Sequence, residues 1–275
     1  MTPVKIDKIE AGNGLPFVLI AGPCVVENET ITLKTAETVK EIACRLGIPF
    51  IFKSSYKKAN RTSLDSFTGL AQNEALSIIK KARELFEVPV ITDIHTEAEA
   101  EMAAEYVDAL QIPAFLCRQT DLLVAAGKTG RAVNIKKGQF LAPEDMKHAA
   151  EKVASTGNNN ILLTERGTTF GYHNLVVDMR SLVIMRSLGY PVVMDATHAV
   201  QVPSQGGISG GRPEFIPSIA RAAAAVGIDA LFMEVHPDPQ HALSDAASQY
   251  PLDKLEELLL ELKQIDMIVK EKRAK

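Results

Sequence analysis

A short segment of this 275-residue chain is densely cationic, although the chain as a whole carries a formal net charge of −4. Lys53, Lys57, Lys58 and Arg61 lie within nine residues, and hydroxyl and amide side chains separate them. Lysine and arginine bind phosphate and carboxylate groups through charge-assisted hydrogen bonds. A solvated loop explains any one of these lysines equally well, but the cluster predicts a site for at least one phosphate and a carboxylate. Other cations at predicted strand ends would join it, namely Arg118, Lys136, Lys137 and Arg166.

A thiol, an imidazole and two carboxylates form a second set of reactive side chains: Cys24, His198, Glu234 and Asp245. Such ligands suit a divalent transition metal, with Fe²⁺, Zn²⁺ or Mn²⁺ favoured over Mg²⁺. Their separations match no short metal-binding motif, so the prediction requires a fold that brings them together. The competing explanation for Cys24 is a small buried hydrophobic residue, which is how most free cysteines behave.

Eight short apolar runs must position these groups, because nearly every run ends in, or leads directly into, a charged or metal-binding residue. The runs cover residues 18–24, 49–53, 89–93, 109–112, 132–137, 160–166, 191–198 and 230–236. A strand buried on both faces has no structural use for such groups at its end, so these ends predict the wall of a pocket. Helical patterns separate the runs, and eight repeats in 275 residues predict a (β/α)8 TIM barrel. A doubly wound open sheet is the alternative, but it would gather polar groups at one switch point.

Local signals mark two of the helices. Residues 28–46 have apolar side chains at helical spacing and stop at Gly47. Thr96 and Glu99 have the spacing of a capping box, which predicts a helix start at Thr96.

Two segments lie outside the simple repeat. Residues 1–17 form a short N-terminal extension, for which we predict a β-hairpin that plugs the amino-terminal end of the barrel. Residues 201–212 contain four glycines and directly follow the His198 region. Glycine gives the backbone freedom and allows close approach to a ligand, so this segment predicts a lid.

Composition limits the class of protein. The chain is 46% hydrophobic and has no linker-like segment, so residues 1–275 are predicted to form one domain. No apolar run approaches the roughly 18 residues of a membrane span, and the first residues lack a signal-peptide pattern. Three cysteines without framework spacing favour a reducing compartment and therefore the cytoplasm. A negative net charge without a basic tract or aromatic ladder argues against nucleic-acid and membrane-surface partners.

Long motifs at every predicted strand end carry a resemblance to a known family. They are IAGPC (20–24), FKSSYKKANRTS (52–63), TDIH (92–95), QIPAFLCRQTD (111–121), NIKKGQF (134–140), TERGTTFGY (164–172), DATH (195–198) and FMEVHP (232–237). Together they make the chain similar to the 3-deoxy-D-manno-octulosonate 8-phosphate synthases, also called 2-dehydro-3-deoxyphosphooctonate aldolases. The resemblance extends from about residue 17 to about residue 265.

The resemblance implies a homotetrameric barrel enzyme of lipopolysaccharide biosynthesis. Its substrates would be phosphoenolpyruvate, D-arabinose 5-phosphate and water, and its products the eight-carbon sugar acid phosphate and inorganic phosphate. The family has metal-dependent and metal-independent classes, with cysteine or asparagine at the position of Cys24. Cys24 therefore implies the metal-dependent class. Whether the metal would orient the aldehyde or lower the pKa of the attacking water stays open.

The resemblance also assigns roles residue by residue. The residues that would hold phosphoenolpyruvate are Lys53, Lys58, Gln111, Ala114, Phe115, Lys136 and Arg166. Those that would hold arabinose 5-phosphate are Asn60, Arg61, Thr62 and, from a neighbouring subunit, Arg118. The expected metal ligands are Cys24, His198, Glu234 and Asp245, and the expected catalytic residues are Lys58, Asn60, Asp93 and His198. Asp93 and His198 would relay protons. Thr62 stands where family members commonly have serine, so the hydroxyl is retained.

Three other functions compete with this interpretation. A related condensation, such as the heptulosonate phosphate synthase of the shikimate route, typically has Lys-Pro-Arg where this chain has Lys58-Ala59-Asn60-Arg61. The extra amide of Asn60 favours the arabinose substrate. A Schiff-base aldolase would use Lys53 or Lys136 as its nucleophile, and the third competitor is a catalytically inactive phosphosugar-binding protein.

Overall fold

The computed structural model describes residues 3–59, 67–172, 174–205 and 208–273, and within them eight parallel strands alternate with eight α-helices. The barrel strands, β1 to β8, are Val18–Gly22, Phe50–Lys53, Val90–Asp93, Ala109–Ile112, Ala132–Lys136, Ile161–Glu165, Val192–Asp195 and Ala230–His236. The helices, α1 to α8, are Glu29–Leu46, Gln72–Phe86, Glu97–Ala104, Thr120–Lys128, Met146–Ala154, Arg180–Ser187, Ile216–Val226 and Leu255–Arg273. Strand β8 pairs with both β7 and β1, so the sheet closes on itself. This closure confirms the (β/α)8 barrel and excludes the open doubly wound sheet.

Four strands begin one residue later than their apolar runs predict, and three of these follow a proline. A proline stands directly before β2, β3 and β7, namely Pro49, Pro89 and Pro191. Because proline has no N–H to donate to the ladder, each of these strands begins at the next residue. Their carbonyl oxygens still accept hydrogen bonds from the neighbouring strands, for example from the Leu19 N–H to Pro49 at 2.8 Å. At the other end of the barrel, β1 stops at Gly22 and β7 at Asp195. The reactive side chains that follow are therefore carried by loops at the carboxyl ends of the strands.

The predicted plug is confirmed as a two-stranded antiparallel hairpin, Val4–Ile6 with Ile9–Ala11. Its side chains Val4, Ile6 and Ala11 are buried in one apolar cluster with inward-facing residues from all eight barrel strands. Those residues are Val18, Ile20, Ile51, Ile91, Ala109, Ala132, Leu162, Val193, Ala230 and Phe232. A larger apolar cluster fills the layer between the barrel and the helices. The hairpin thus closes the amino-terminal end and leaves the functional groups at the opposite end.

Helices α1 and α3 differ in how their amino-terminal ends are capped. The Asn28 side chain accepts a hydrogen bond from the Ile31 N–H at 2.8 Å, and α1 ends at Gly47 in the left-handed conformation (φ 64°), as predicted. Helix α3 also begins after Thr96, but the Thr96 side chain makes no capping hydrogen bond. The capping-box prediction is wrong at this point because Glu99 instead accepts from the His95 N–H at 2.8 Å and from other donors outside the helix.

Two loops meet above β7 and β8. The glycine-rich segment forms a β-hairpin, Gln201–Gln205 with Ile208–Gly211. A Cβ on Gly211 would lie 2.4 Å from the Ala247 carbonyl oxygen, so only glycine allows this hairpin to pack so closely on the loop after β8. The movement of this hairpin as a lid stays a prediction.

Among the described helices, none combines the length and apolar character that crossing a membrane requires.

Candidate active site

Three of the predicted metal ligands converge at the carboxyl ends of β1 and β8. Potential ligand atoms of Cys24, Glu234 and Asp245 all lie within 4.8 Å of one another. Cys24 comes from the loop after β1, Glu234 from β8 and Asp245 from the loop that follows β8. The fourth predicted ligand, His198, has its Nε2 3.7 Å from Glu234 Oε1. Closure of the barrel therefore brings together groups that are more than 200 residues apart in the chain.

The chemistry of this donor set fits a divalent transition metal. Burial raises the pKa of the Cys24 thiol well above its usual value, and the charges of Asp245 and Glu234 raise it further. Two carboxylates held beside a buried sulfur are costly unless cations lie among them, and the ion pairs of Lys53 and Lys58 with Glu234 are both made to Oε1. Glu234 Oε2 is buried and has no hydrogen-bond partner among the described residues. A metal bound there would contact this oxygen and would displace the thiol proton.

A hydrogen-bonded loop presents Asp245 to Cys24. Cys24 Sγ lies 2.8 Å from Ser244 Oγ and 3.4 Å from Asp245 Oδ2. The Gln249 side chain accepts from the Cys24 N–H at 3.2 Å and donates to the Ser244 carbonyl at 2.9 Å. On the other side of the loop, Glu27 accepts from the Leu243 N–H at 2.7 Å. The position of Asp245 is therefore fixed against the Cys24 segment even without a shared ion.

Lys53 links the metal-ligand cluster to the barrel interior. Its Nζ lies 3.1 Å from Glu234 Oε1, 3.3 Å from Asp93 Oδ2 and 2.9 Å from Ser55 Oγ, and the side chain is 1% exposed. Burial alone would raise the pKa of Glu234, but the nearby cations of His198 and Lys58, followed by Lys53, hold it well below its usual range. Burial and Lys53 oppose each other in the same way at Asp93, and the net result is a lowered pKa. Both carboxyl groups are therefore ionised in the folded chain.

His198 is oriented by a buried carboxylate. Its Nδ1 lies 2.8 Å from Asp195 Oδ2, and the Lys136 Nζ donates to the same oxygen at 2.6 Å. This contact through Nδ1 orients the ring so that Nε2 faces Glu234 Oε1 at 3.7 Å. Lys136 also lies over the Phe232 ring, 3.7 Å from its centroid. Burial lowers the pKa of Lys136, and the charge of Asp195 opposes that shift.

Two further cations have capacity for a ligand. The Lys58 Nζ is 3.5 Å from Glu234 Oε1. Burial alone would lower the pKa of Lys58, but the surrounding acidic groups, which include Glu234, Asp245 and Asp93, together raise it. Arg166 is 4% exposed; its Nη2 donates to Gln201 Oε1 at 2.8 Å. The Arg166 Nη1 is buried and has no hydrogen-bond partner in the described part of the chain. A buried guanidinium nitrogen without an acceptor is suited to a phosphate or carboxylate oxygen.

These geometries argue against a lysine nucleophile. A Schiff base requires a neutral amine, whereas Lys53 forms buried ion pairs with Asp93 and Glu234. Lys136 forms a buried ion pair with Asp195. Both lysines therefore have carboxylate partners within an anion-binding site.

Comparison with known proteins agrees with the motifs and the fold. A model described as the DAHP synthetase I family matches residues 1–271. The chain belongs to the DAHP synthetase I family. Relatives named 2-dehydro-3-deoxyphosphooctonate aldolase occur in Geotalea uraniireducens, at 56% identity over 268 residues, covering 97% of this chain and 98% of the relative. The relative of that name in Syntrophotalea carbinolica is also 56% identical, with 97% of both chains covered. The one in Acidithiobacillus ferrooxidans is 56% identical over 97% of this chain and 95% of its own.

Within this member of the DAHP synthetase I family, three predicted binding residues lie in the loop after β4. Ala114 is nearly buried in the loop after β4, and Phe115 beside it is 57% exposed. Arg118 is exposed, and its carbonyl oxygen accepts from Lys152 Nζ at 2.9 Å. The sugar-phosphate residues Asn60, Arg61 and Thr62 lie outside the described residues. Their roles stay predictions.

Lys137 has a structural use. It is fully buried and donates to two backbone carbonyls, of Gly138 and Leu141, and to Thr168 Oγ1 at 3.0 Å. It therefore stabilises the loop after β5, and its charge is satisfied within the protein instead of joining the cationic cluster.

Sequence reasoning missed several residues of this family member's site. Ser244 contacts the Cys24 sulfur, Ser55 donates to Asp93, and Gln249 holds the Cys24 backbone. Asn134 and Thr164 lie within runs that we described as apolar and to which we gave no interior polar role. The sequence did contain a signal for Asn134 and Thr164, because each is an uncharged polar residue inside an otherwise buried apolar run.

Proposed function

We propose that the chain condenses phosphoenolpyruvate with D-arabinose 5-phosphate and water to give 3-deoxy-D-manno-octulosonate 8-phosphate and inorganic phosphate for lipopolysaccharide biosynthesis. The observation that carries the proposal is the convergence of Lys58, Lys136 and Arg166 with the Cys24–Glu234–Asp245 cluster at one end of the barrel. Two anionic substrates require such a concentration of buried cations. The names of the full-length relatives select this reaction among those that use phosphoenolpyruvate.

The cations stabilise charge that develops during the reaction. Attack on the aldehyde by carbon 3 of phosphoenolpyruvate places negative charge on the aldehyde oxygen and positive character on carbon 2. Water adds at carbon 2, and cleavage of the carbon–oxygen bond then releases phosphate. Lys58, Lys136 and Arg166 would hold the carboxylate and phosphate of phosphoenolpyruvate, and Lys53 would support them from beneath. Because these groups are fixed before the substrates arrive, little reorganisation is needed in the transition state.

His198 and Asp195 form the part of the site best suited to hold or transfer a proton. The Asp195 carboxylate fixes the ring of His198 through Nδ1 at 2.8 Å, which presents Nε2 to the ligand cluster. Asp93 is less suited to a proton relay because Lys53, Ser55 and Gln111 all donate to it. We therefore assign Asp93 an electrostatic role and retain His198 as the candidate for proton transfer or metal ligation.

A divalent transition metal completes the proposal, with Cys24, His198, Glu234 and Asp245 as its ligands. When bound, the metal would polarise the aldehyde oxygen or lower the pKa of the water that attacks carbon 2. The fit of the donor set and the unpartnered Glu234 oxygen support this assignment.

Metal removal tests the metal assignment. We expect a chelator to abolish phosphate release and Fe²⁺, Zn²⁺ or Mn²⁺ to restore it. We expect Cys24→Ala to reduce the bound metal to well below one ion per chain, measured by elemental analysis, because the thiolate is the softest ligand of the set. Cys44→Ala, which changes an exposed thiol, is the matched control. Full activity of either the chelated chain or Cys24→Ala in metal-free buffer would refute the assignment.

Substrate choice tests the reaction itself. Phosphate release should require phosphoenolpyruvate and be faster with arabinose 5-phosphate than with erythrose 4-phosphate. A preference for erythrose 4-phosphate would indicate the shikimate-route reaction. Absence of phosphate release with either sugar and added metal would indicate a binding protein.

We also propose a cytoplasmic homotetramer in which Arg118 reaches the sugar phosphate of a neighbouring subunit. The exposure of Arg118 and Phe115 on the loop after β4 supports a contact beyond this chain. Light scattering would measure the subunit number. Arg118→Ala should raise the KM for the sugar phosphate without raising that for phosphoenolpyruvate, and an unchanged sugar KM would refute the role.

A further inference from the structure

Four polar side chains form a continuous chain of hydrogen bonds across the barrel interior. Thr164, Asn134, Gln111 and Asp93 lie on β6, β5, β4 and β3, which are successive neighbours in the sheet. The first three are at most 1% exposed, and Asp93 is 7% exposed. The distances are 2.6 Å from Thr164 Oγ1 to Asn134 Oδ1, 2.9 Å from Asn134 Nδ2 to Gln111 Oε1, and 2.5 Å from Gln111 Nε2 to Asp93 Oδ1.

The carboxylate at the end gives this chain one direction. An ionised carboxylate can only accept, so Gln111 must present its amide nitrogen to Asp93. The Gln111 oxygen then faces Asn134, which must present its own nitrogen, and the remaining Asn134 oxygen requires a donor. The Thr164 hydroxyl supplies that donor. On the opposite side of Asp93, Lys53 and Ser55 donate to Oδ2, so the carboxylate is held from both sides.

Gln111 is left with one unused donor. Its Nε2 carries two hydrogens, one of which is directed to Asp93, and no described residue accepts the second. The nitrogen lies 2.5 Å from Asp93 Oδ1, and the Lys53 ammonium lies 3.3 Å from the other oxygen of the same carboxylate, so a positive charge that attracts anions is close by. Because buried donors normally find an acceptor, the second hydrogen is available to an anionic ligand.

We propose that Asn134 and Thr164 are positioning residues that hold the Gln111 amide with its free N–H directed to bound phosphoenolpyruvate. The proposal rests on the function proposed above. Neither side chain touches the substrate; both act by keeping Gln111 from turning or swinging away from Asp93. Without Asn134, the Gln111 oxygen would lose its only partner among the described residues and the amide would no longer be fixed at its outer side.

Binding of phosphoenolpyruvate to conservative variants of the metal-loaded chain tests the proposal. Asn134→Leu keeps a similar shape but cannot donate, and we expect about tenfold weaker binding of phosphoenolpyruvate by calorimetry. Thr164→Val keeps the shape of threonine and should weaken binding about threefold, whereas Thr164→Ser keeps the hydroxyl and should bind within about twofold of the unmodified chain.

A double variant distinguishes a connected chain from independent packing effects. If Thr164 acts only through Asn134, the Asn134→Leu/Thr164→Val chain should bind phosphoenolpyruvate about as weakly as Asn134→Leu alone. The KM for the sugar phosphate should stay unchanged, which a general loosening of the barrel would not allow. Should Asn134→Leu fail to fold, the contrast between Thr164→Val and Thr164→Ser decides alone.

Three results would overturn the proposal: binding of phosphoenolpyruvate to Asn134→Leu as tight as to the unmodified chain, equal losses for Thr164→Val and Thr164→Ser, or multiplied losses in the double variant. Failure of the proposed function looks different. In that case the unmodified chain would itself neither bind phosphoenolpyruvate nor release phosphate.

Discussion

Replacement of Lys53 by methionine would remove the cation between two buried carboxylates. Lys53→Met keeps most of the aliphatic volume but leaves Glu234 Oε1 and Asp93 Oδ2 without the ammonium now 3.1 and 3.3 Å away. All three side chains are at most 11% exposed, so water cannot replace the lost charge. Removal of one partner from a buried ion pair typically costs about 3–5 kcal/mol.

The lower end of that range applies to this chain. Lys58 remains 3.5 Å from Glu234, and Ser55 and Gln111 still donate to Asp93. We therefore expect the free energy of unfolding to fall by about 3 kcal/mol. For a chain of this size, such a loss lowers Tm by about 6–12 °C.

Urea titration and thermal unfolding of the chelated protein would measure this loss without a contribution from metal binding. Lys81→Met is the matched control, because the Lys81–Glu29 pair lies on the surface with both side chains about half exposed, and should cost at most about 1 kcal/mol. The Lys53→Met/Glu234→Gln chain should recover part of the loss, since it removes one uncompensated charge. If Lys53→Met unfolds like the control, the carboxylates are not held by Lys53 and our account of the site's electrostatics is wrong.

Two further predictions concern backbone packing and pH. Gly22→Ala would place a Cβ 2.0 Å from the Lys53 carbonyl oxygen, so β1 or β2 must shift. We expect the free energy of unfolding, measured by urea titration, to fall by about 2 kcal/mol, and phosphate release to be lost. Normal activity would contradict this prediction. Burial raises the pKa of Glu99, but hydrogen bonds from His95, Lys57 and Tyr56 outweigh it and lower the pKa. A lowered folded-state pKa stabilises the chain above the unfolded pKa, about 4.3, and this contribution is lost as pH falls toward the folded value. The stability difference between the unmodified chain and Glu99→Gln should therefore be full at pH 7 and shrink below about pH 4.3, and a difference that grew on acidification would have the wrong sign.

The sequence predicted the barrel well because its signals are local. Each strand is an apolar run, and proline marks the start of three of them. The reactive residues follow the runs directly, so parallel strands alone suffice to place Cys24 and Glu234 at the same end. The predicted convergence of Cys24, Glu234 and Asp245 is confirmed, because a closed barrel makes its first and last strands neighbours. The sequence could not predict individual side-chain contacts, such as those of Lys53 with Asp93 and Glu234, because they depend on side-chain conformation.

The parts that sequence reasoning missed depend on partners far away in the chain. Ser244 contacts Cys24 across 220 residues, and no local pattern indicates that pairing. Asn134 and Thr164 looked unexceptional within apolar runs, and their purpose is evident only when β4, β5 and β6 lie side by side. The capping-box prediction at Thr96 and Glu99 was wrong because it considered only nearby residues. Tyr56 and Lys57, from the loop after β2, donate to the Glu99 carboxylate instead.

The N-terminal hairpin affects the electrostatic field at the opposite end of the barrel, where the candidate active site lies. Val4 and Ile6 pack into the apolar cluster that includes Phe232, and Phe232 lies directly beneath the Lys136 ammonium. This apolar cluster excludes water from the amino-terminal side of Lys136, so water can reach the ammonium only from the carboxyl-terminal mouth of the barrel. An incoming anion that displaces water at the mouth therefore meets a field that the solvent behind it cannot weaken.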